Sequence, residues 1–274
     1  MIENRRPPEN RDVLKENVVF IPGMWGTSSC WDGFKKHFDE RRFVCRTVTL
    51  PWHDQKEKRS QADWKSLGKA ALTEYVEALK KELELLTPKP IVIGHSMGGW
   101  IAQKLAAEGL ANAAVLLAPA PPAGVWAMDI AILWHLWLPH IFAILFSKPM
   151  RPTFQQALSS MLHRLPPEKQ KAVFDSFVFE SGRAVREIGL WPFYIKKPSA
   201  VDESKVTCPM LIMVSKDDRI TPVRVVRRVS SKYLGATFME FPGRAHWLMD
   251  EPGQEEVFDH LLQWLEAHVL TPGS

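Results

Sequence analysis

Short apolar runs alternate with longer amphipathic segments along most of this chain, and that alternation limits the possible folds more than any other feature. The runs are "VVFIPG" (18–23), "FVCRTVTLP" (43–51), "PIVIGHS" (90–96), "AAVLLAPA" (113–120), "PMLIMVSKDD" (209–218) and "TFMEFPG" (237–243). Each has the length and apolar character of a strand. Between them lie helical patterns. "CWDGFKKHFDER" (30–41) sets Trp31, Phe34 and Phe38 at helical spacing, and "DWKSLGKAALTEYVEALKKELELL" (63–86) reads as one long helix capped by Asp63. "MGGWIAQKLAAEG" (97–109), "PVRVVRRVSSKYL" (222–234) and a last segment from Gln254 to Val269 complete the set. Strand–helix–strand repetition predicts an α/β protein with a doubly wound, mainly parallel sheet. Functional groups in such a sheet gather at the carboxyl ends of the strands.

Residues 121–204 break the rhythm with proline clusters and helical patterns but no convincing strand. Within them "VWAMDIAILWHLWLPHIFAILF" (125–146) is apolar on nearly every face. Asp129, His135, Pro139 and His140 argue against a membrane span. A helical cap inserted over the sheet is expected instead. The expected organisation is a loose tail at 1–17, a core formed by 18–120 and 205–274, and the cap at 121–204.

Composition removes several function classes. Hydrophobic residues make up 46% and charged residues 24%, which suits a packed globular chain. The net charge of +4 is spread among interspersed acids and bases, so no nucleic-acid partner is expected. The run "RVVRRVSSK" (224–232) reads as the solvated face of a helix. Cys30, Cys45 and Cys208 suit neither a disulfide framework nor a zinc site, which points to a reducing compartment. The polar start "MIENRRPPENRDVLKEN" lacks an apolar signal core, and a cytoplasmic location is expected. No phosphate loop, dinucleotide fingerprint or metal-ligand cluster is present, so no cofactor and no metal are expected.

The stretch "GHSMGG" places Gly94, Ser96 and Gly98 in a G-x-S-x-G pattern between a strand and a helix. A chain that reverses there forces the serine toward an unfavourable backbone conformation. The glycines make room for the reversal, and the turn lifts a serine hydroxyl above the sheet. A serine nucleophile needs a base, and the base needs an orienting acid. His246 stands just beyond the last strand and before the last helix. Asp217 and Asp218 both stand at the end of the strand before it. His95 fills the variable slot of the motif and reads as a neighbour of the site. His53 in "LPWHDQ" reads as a surface-loop residue, and His135 and His140 as cap residues.

These motifs together resemble the α/β-hydrolase fold superfamily, in its serine esterase and lysophospholipase-like branch, over about residues 18–120 and 205–270. The resemblance implies a serine, acid, histidine order. In that superfamily the acid often lies in G-x-x-D-x-x-x-P, which selects Asp218, followed by "RIT" and Pro222. "LLAPAPP" offers no acid at the alternative position used by some members. The resemblance also implies an oxyanion hole from two backbone amides: Met97, after the serine, and Met24, in "IPGMWGTSS". Pro22 departs from the histidine common there, and Trp25 is the alternative donor. Only about seventeen residues precede "VVFIPG", too few for the antiparallel pair that opens larger members, so six strands are expected, all parallel.

The implied activity is hydrolysis of carboxylic esters through an acyl-enzyme on Ser96. The same triad also serves acyl transfer, thioester or C–C bond hydrolysis, perhydrolysis and cyanohydrin cleavage, and a receptor that kept the fold is a third class. Tryptophan is the compositional outlier, with 11 copies. Trp25, Trp126, Trp134 and Trp137 are expected to line an apolar substrate pocket. That pocket predicts an ester or lipid substrate with medium or long acyl or alkyl groups. The apolar cap segment also predicts peripheral contact with membranes.

Overall fold

The computed structural model describes residues 16–54, 59–127 and 129–270. All but two residues of the expected tail at 1–17 therefore lie outside the described residues. The elements in chain order are β1 (Asn17–Ile21), α1 (Asp32–Asp39), β2 (Val44–Thr47), α2 (Gln61–Lys69), α3 (Leu72–Leu83), β3 (Ile91–His95), α4 (Met97–Ala107) and β4 (Ala113–Leu117). The cap follows with α5 (Ile130–Ile132), a π turn (Leu133–Trp137), α6 (Leu138–Leu145), β5 (Pro149–Met150), α7 (Phe154–Ser160), α8 (Pro167–Asp175), β6 (Glu180–Ser181) and α9 (Gly182–Gly189). The chain then returns to the core through β7 (Met210–Ser215), α10 (Val223–Ser230), β8 (Thr237–Phe241) and α11 (Gln254–His268).

Six strands form the main sheet in the order β2-β1-β3-β4-β7-β8, and every neighbouring pair is parallel. The four central strands are buried along their whole length, which explains why their sequences are continuous apolar runs rather than alternating ones. The order puts β3 beside both β1 and β4, so the loops after these strands converge above its end. Phe20, Trp31, Phe34, Phe38 and Phe258 pack edge to face or tilted beneath the sheet's first half. Among the described residues no helix is long and apolar enough to cross a membrane.

The expected single helix over 63–86 is two helices. Ser60, not Asp63, is the N-cap of α2: its hydroxyl accepts the Asp63 N–H at 3.1 Å, and the Asp63 carboxylate accepts the Ser60 N–H in return. The break falls at Ala70 (φ −57°, ψ 131°), where the cap supplies partners for the freed backbone groups and Glu74 accepts the Ala71 N–H at 3.0 Å. The Ser181 hydroxyl lies 2.7 Å from the Ala70 carbonyl and 3.1 Å from that of Gly68, and the Leu72 N–H donates to the Glu187 carboxylate at 2.9 Å. The cap also contains a two-stranded antiparallel bridge, β5 with β6, outside the main sheet.

His53 is not a surface residue. It is fully buried, and its Nε2 meets Glu180 Oε2 at 2.9 Å, while the Tyr75 hydroxyl donates to the other oxygen at 2.8 Å. Burial alone would lower the His53 pKa, but the Glu180 carboxylate outweighs it and the net shift is upward. This pair ties the loop after β2 to the cap.

Candidate active site

Ser96 is the one residue between β3 and α4, with φ 54° and ψ −118°. An L-residue rarely adopts this backbone, and its neighbours make it possible. A Cβ on Gly94 would run into the Gly98 backbone, and one on Gly98 into the carbonyls of Ile21 and Pro22. The Ser96 N–H donates to the Leu117 carbonyl at 2.9 Å, and the Ser96 carbonyl accepts the Ala120 N–H at 2.8 Å. The turn is thereby fixed to the end of β4.

The loop after β7 brings Asp218 to His246. Asp218 Oδ1 accepts the N–H groups of Ile220 and Thr221, each at 2.8 Å. Oδ2 lies 2.8 Å from His246 Nδ1. The Thr221 hydroxyl stands 2.8 Å from the same oxygen and 3.0 Å from the Ala118 carbonyl, and can donate to one of them at a time. Burial would raise the Asp218 pKa, but His246 and the two amides outweigh it and hold the carboxyl below its ordinary value. With a carboxylate at Nδ1, the imidazole carries its proton there and keeps a lone pair on Nε2. Asp217 turns elsewhere and pairs with Arg164 of the cap at 2.6 Å.

Two further contacts hold the His246 backbone. The His95 Nε2–H donates to the His246 carbonyl at 2.8 Å. The Glu251 carboxylate accepts the N–H groups on either side, Ala245 at 2.7 Å and Trp247 at 3.1 Å. Burial and then the nearby His246 push the His95 pKa down to about 3. Burial raises Glu251 to about 7 despite its two amide donors.

The loop after β1 passes tightly over the serine: a Cβ on Gly23 would sit 2.8 Å from Ser96 Cβ. The Gly26 N–H donates to the Gly23 carbonyl at 3.1 Å, closing a turn in which Trp25 takes φ 63°. Met24 lies in that turn and its residue lines the cavity. Met97 opens α4, so its N–H has no acceptor within the helix and points toward the positive end of the helix dipole.

Above Ser96 lies a cavity with a free volume of about 50 Å³. Its apolar wall includes Met24, Ile132, Leu136, Trp137, Val185 and Ile188. Of the four expected pocket tryptophans only Trp137 lies in this wall, seated on Gly189, where any Cβ would overlap its indole. Trp25 is buried but serves the cap joint: its Nε1–H donates to the Met150 carbonyl at 3.1 Å, and its ring stacks on Phe177. Trp126 and Trp134 are 51% and 69% exposed and border separate surface hollows. Trp126 precedes the first cap helix, and for Trp134 a segment apolar all round does not reveal which side faces inward.

Thr221 and Glu251 escape the sequence reading, although both leave a trace. Thr221 stands three residues after Asp218, where a side-chain carboxylate can cap a turn. Glu251 directly precedes Pro252 at the entry to α11. Among the described residues no group of three or more His, Cys, Asp or Glu side chains could hold a metal ion.

Comparisons with known proteins agree with this architecture. A model described as the Alpha/beta hydrolase family matches residues 18–259. The chain is similar to a methylesterase from Arabidopsis at 15% identity and a TM-score of 0.68, covering 92% of this chain and 99% of that one. A monoacylglycerol lipase from Paleococcus ferrophilus matches at 20% identity and a TM-score of 0.65, with 92% and 94% covered. A bacterial membrane phospholipase A matches at 17% identity and a TM-score of 0.68, with 92% and 79% covered. Likeness at these identities concerns the fold, whereas the family match spans most of the sequence. The chain belongs to the alpha/beta hydrolase family.

Proposed function

We propose that the protein is a serine hydrolase of carboxylic esters with an apolar acyl or alkyl group. One observation carries this reading. A serine held at a positive-φ strand–helix turn opens into the cavity, and the loop carrying His246, itself paired with a buried carboxylate 2.8 Å away, is tied to the residue before that serine.

In this reading Ser96 Oγ attacks the ester carbonyl carbon as its proton passes to Nε2 of His246. The imidazolium is stabilised by Asp218, whose own proton affinity is low. The carbonyl oxygen becomes an oxyanion facing the Met24 and Met97 amides. Collapse breaks the ester bond, and the Nε2 proton leaves with the alcohol. Water then repeats the sequence on the acyl-enzyme, releasing the acid and freeing Ser96.

The cavity bears on the size of the acyl group. Its 50 Å³ is about two waters' share of liquid volume, so as it stands it suits a short acyl group. Longer chains require the wall to yield, and Ile132, Leu136, Trp137, Val185 and Ile188 all come from the cap. The cap is therefore the part that adapts to acyl length, with each added methylene contributing about 0.8 kcal/mol once it is buried.

Product analysis on p-nitrophenyl butyrate tests the reaction type. The reading requires one equivalent of butyrate per nitrophenolate, and none from the Ser96→Ala protein. If an added alcohol captured most of the acyl group as a new ester, acyl transfer would be the activity. Equal rates for parent and Ser96→Ala would place the nucleophile elsewhere.

A further inference from the structure

The segment that roofs the cavity has a second face. Ile132, Leu136 and Trp137 turn inward, whereas Ile130, Trp134, Leu138, Phe142 and Phe146 are 79%, 69%, 50%, 75% and 65% exposed. The outer row recurs every four residues. In a straight α-helix a four-residue step overshoots one turn by about 40°, so such a row would wind around the helix. The π turn at Leu133–Trp137 has more residues per turn and takes up part of that excess. The large apolar side chains thereby share one solvent-facing side.

A second outcrop stands beside it. Phe193 and Ile195 are 80% and 102% exposed. Arg186 links the two: it donates to the Leu145 carbonyl at the end of α6 and to the Tyr194 hydroxyl, each at 2.7 Å. The exposed charges on these two segments have one sign, and Asp129, at the edge beside Ile130, is buried and paired with Arg224. Lys148, Lys196 and Lys197 are exposed, and residues 130–150 and 190–201 contain no aspartate or glutamate.

We propose that this face of the cap docks on an anionic phospholipid bilayer. Aromatic and aliphatic side chains enter the boundary between headgroups and acyl chains, while the lysines meet the headgroup phosphates. The charge pattern disfavours a second copy of the chain as occupant. A two-fold contact sets the same patch against itself. Here the lysines would be set against a patch that contains no acid to pair with them. The proposal stands apart from the catalytic reading, because it uses only the outer side chains.

The test is flotation of the whole protein with vesicles of pure phosphatidylcholine and of phosphatidylcholine mixed with phosphatidylglycerol. The protein is expected to float with the mixed vesicles, and to release as salt screens the headgroups. The Lys196→Gln/Lys197→Gln variant should lose about 25-fold in partition to mixed vesicles, at about fivefold per lysine. The Ile130→Ser/Phe142→Ser variant should lose about 30-fold or more on mixed vesicles. Because these side chains are exposed, an unchanged melting temperature verifies that each variant is folded, whatever the activity proves to be. Failure to float with the mixed vesicles overturns the proposal, as does equal binding by parent and variants. A concentration-dependent dimer that the Ile130→Ser/Phe142→Ser variant abolishes, without vesicle binding, assigns the face to a second copy.

Discussion

His95 donates its Nε2–H to the carbonyl of His246 at 2.8 Å, and the two rings lie 4.6 Å apart. The strand that presents the serine therefore also holds the backbone of the histidine proposed to activate it. The bond joins two stretches of chain that are 150 positions apart in sequence at Ser96 and His246 (96 to 246). Replacing His95 with Phe keeps the bulk and removes the donor. The expected result is a kcat lower by about tenfold, the worth of one hydrogen bond to a group that must stay aligned, with KM nearly unchanged. A changed KM with an unchanged kcat would assign His95 to packing alone.

The two carboxylates after β7 give a sharper contrast. Asp218 faces His246, and Asp217 faces Arg164 at the surface. Asp218→Asn should lower kcat by about 10³- to 10⁴-fold, because an amide favours the wrong imidazole tautomer. Asp217→Asn should change it by less than about threefold, as expected for an exposed pair. Steady-state rates on p-nitrophenyl butyrate decide between them, and a severe Asp217→Asn defect would overturn the assignment of the acid.

Two buried groups near His246 give stability opposite pH dependences. His95 stays neutral down to about 3, below its ordinary 6.5, so the unfolded chain gains a proton that the fold refuses. Its contribution is complete above pH 6.5 and is lost as pH falls toward 3. Glu251 is raised from 4.5 to about 7, so the fold keeps a proton that the unfolded chain releases. Its contribution is complete below pH 4.5 and declines as pH rises to 7, by about 3 kcal/mol at most. Urea unfolding across pH 4 to about 8 should show Glu251→Gln gaining on the parent as pH rises. Parallel curves for parent and variant would show that Glu251 does not titrate in this window.

Much of this molecule is legible in the sequence because the signals are local. Glycines at fixed offsets around Ser96 mark a turn that no other residue type fits. The continuous apolar runs mark parallel strands buried on both faces. Resemblance to the superfamily pattern G-x-x-D-x-x-x-P is what selects Asp218 over Asp217 in the sequence, and in the structure Asp218 Oδ2 lies 2.8 Å from His246 Nδ1. What stays hidden comes from distant partners. The backbone groups freed at the Ala70 break find partners in Ser181 and Glu187, and the burial of His53 depends on Glu180. Trp134 lies outside the cavity wall for another reason: an evenly apolar helix carries no record of its inward face, and the π turn alters the spacing that would be used to infer it.

Trp137 and Trp134 separate cavity from surface. Trp137→Ala removes part of the cavity wall and should raise the ratio of kcat/KM for octanoate over acetate esters by about tenfold, the worth of one or two extra buried methylenes. Trp134→Ala should leave that ratio unchanged for soluble substrates, since the side chain is 69% exposed. Rates on p-nitrophenyl acetate, butyrate and octanoate provide the check. An identical response from both variants would remove Trp137 from the acyl site.

Acylation of Ser96 underlies every step of the proposed reaction, and covalent trapping probes it. The protein is treated with a fluorophosphonate, its intact mass is measured, and the adduct is mapped by peptide sequencing while esterase activity is followed. One adduct per chain is expected, on Ser96, with activity lost in proportion to labelling and no adduct in the Ser96→Ala protein. An adduct on another residue, or full activity in a chain fully labelled at Ser96, would contradict it.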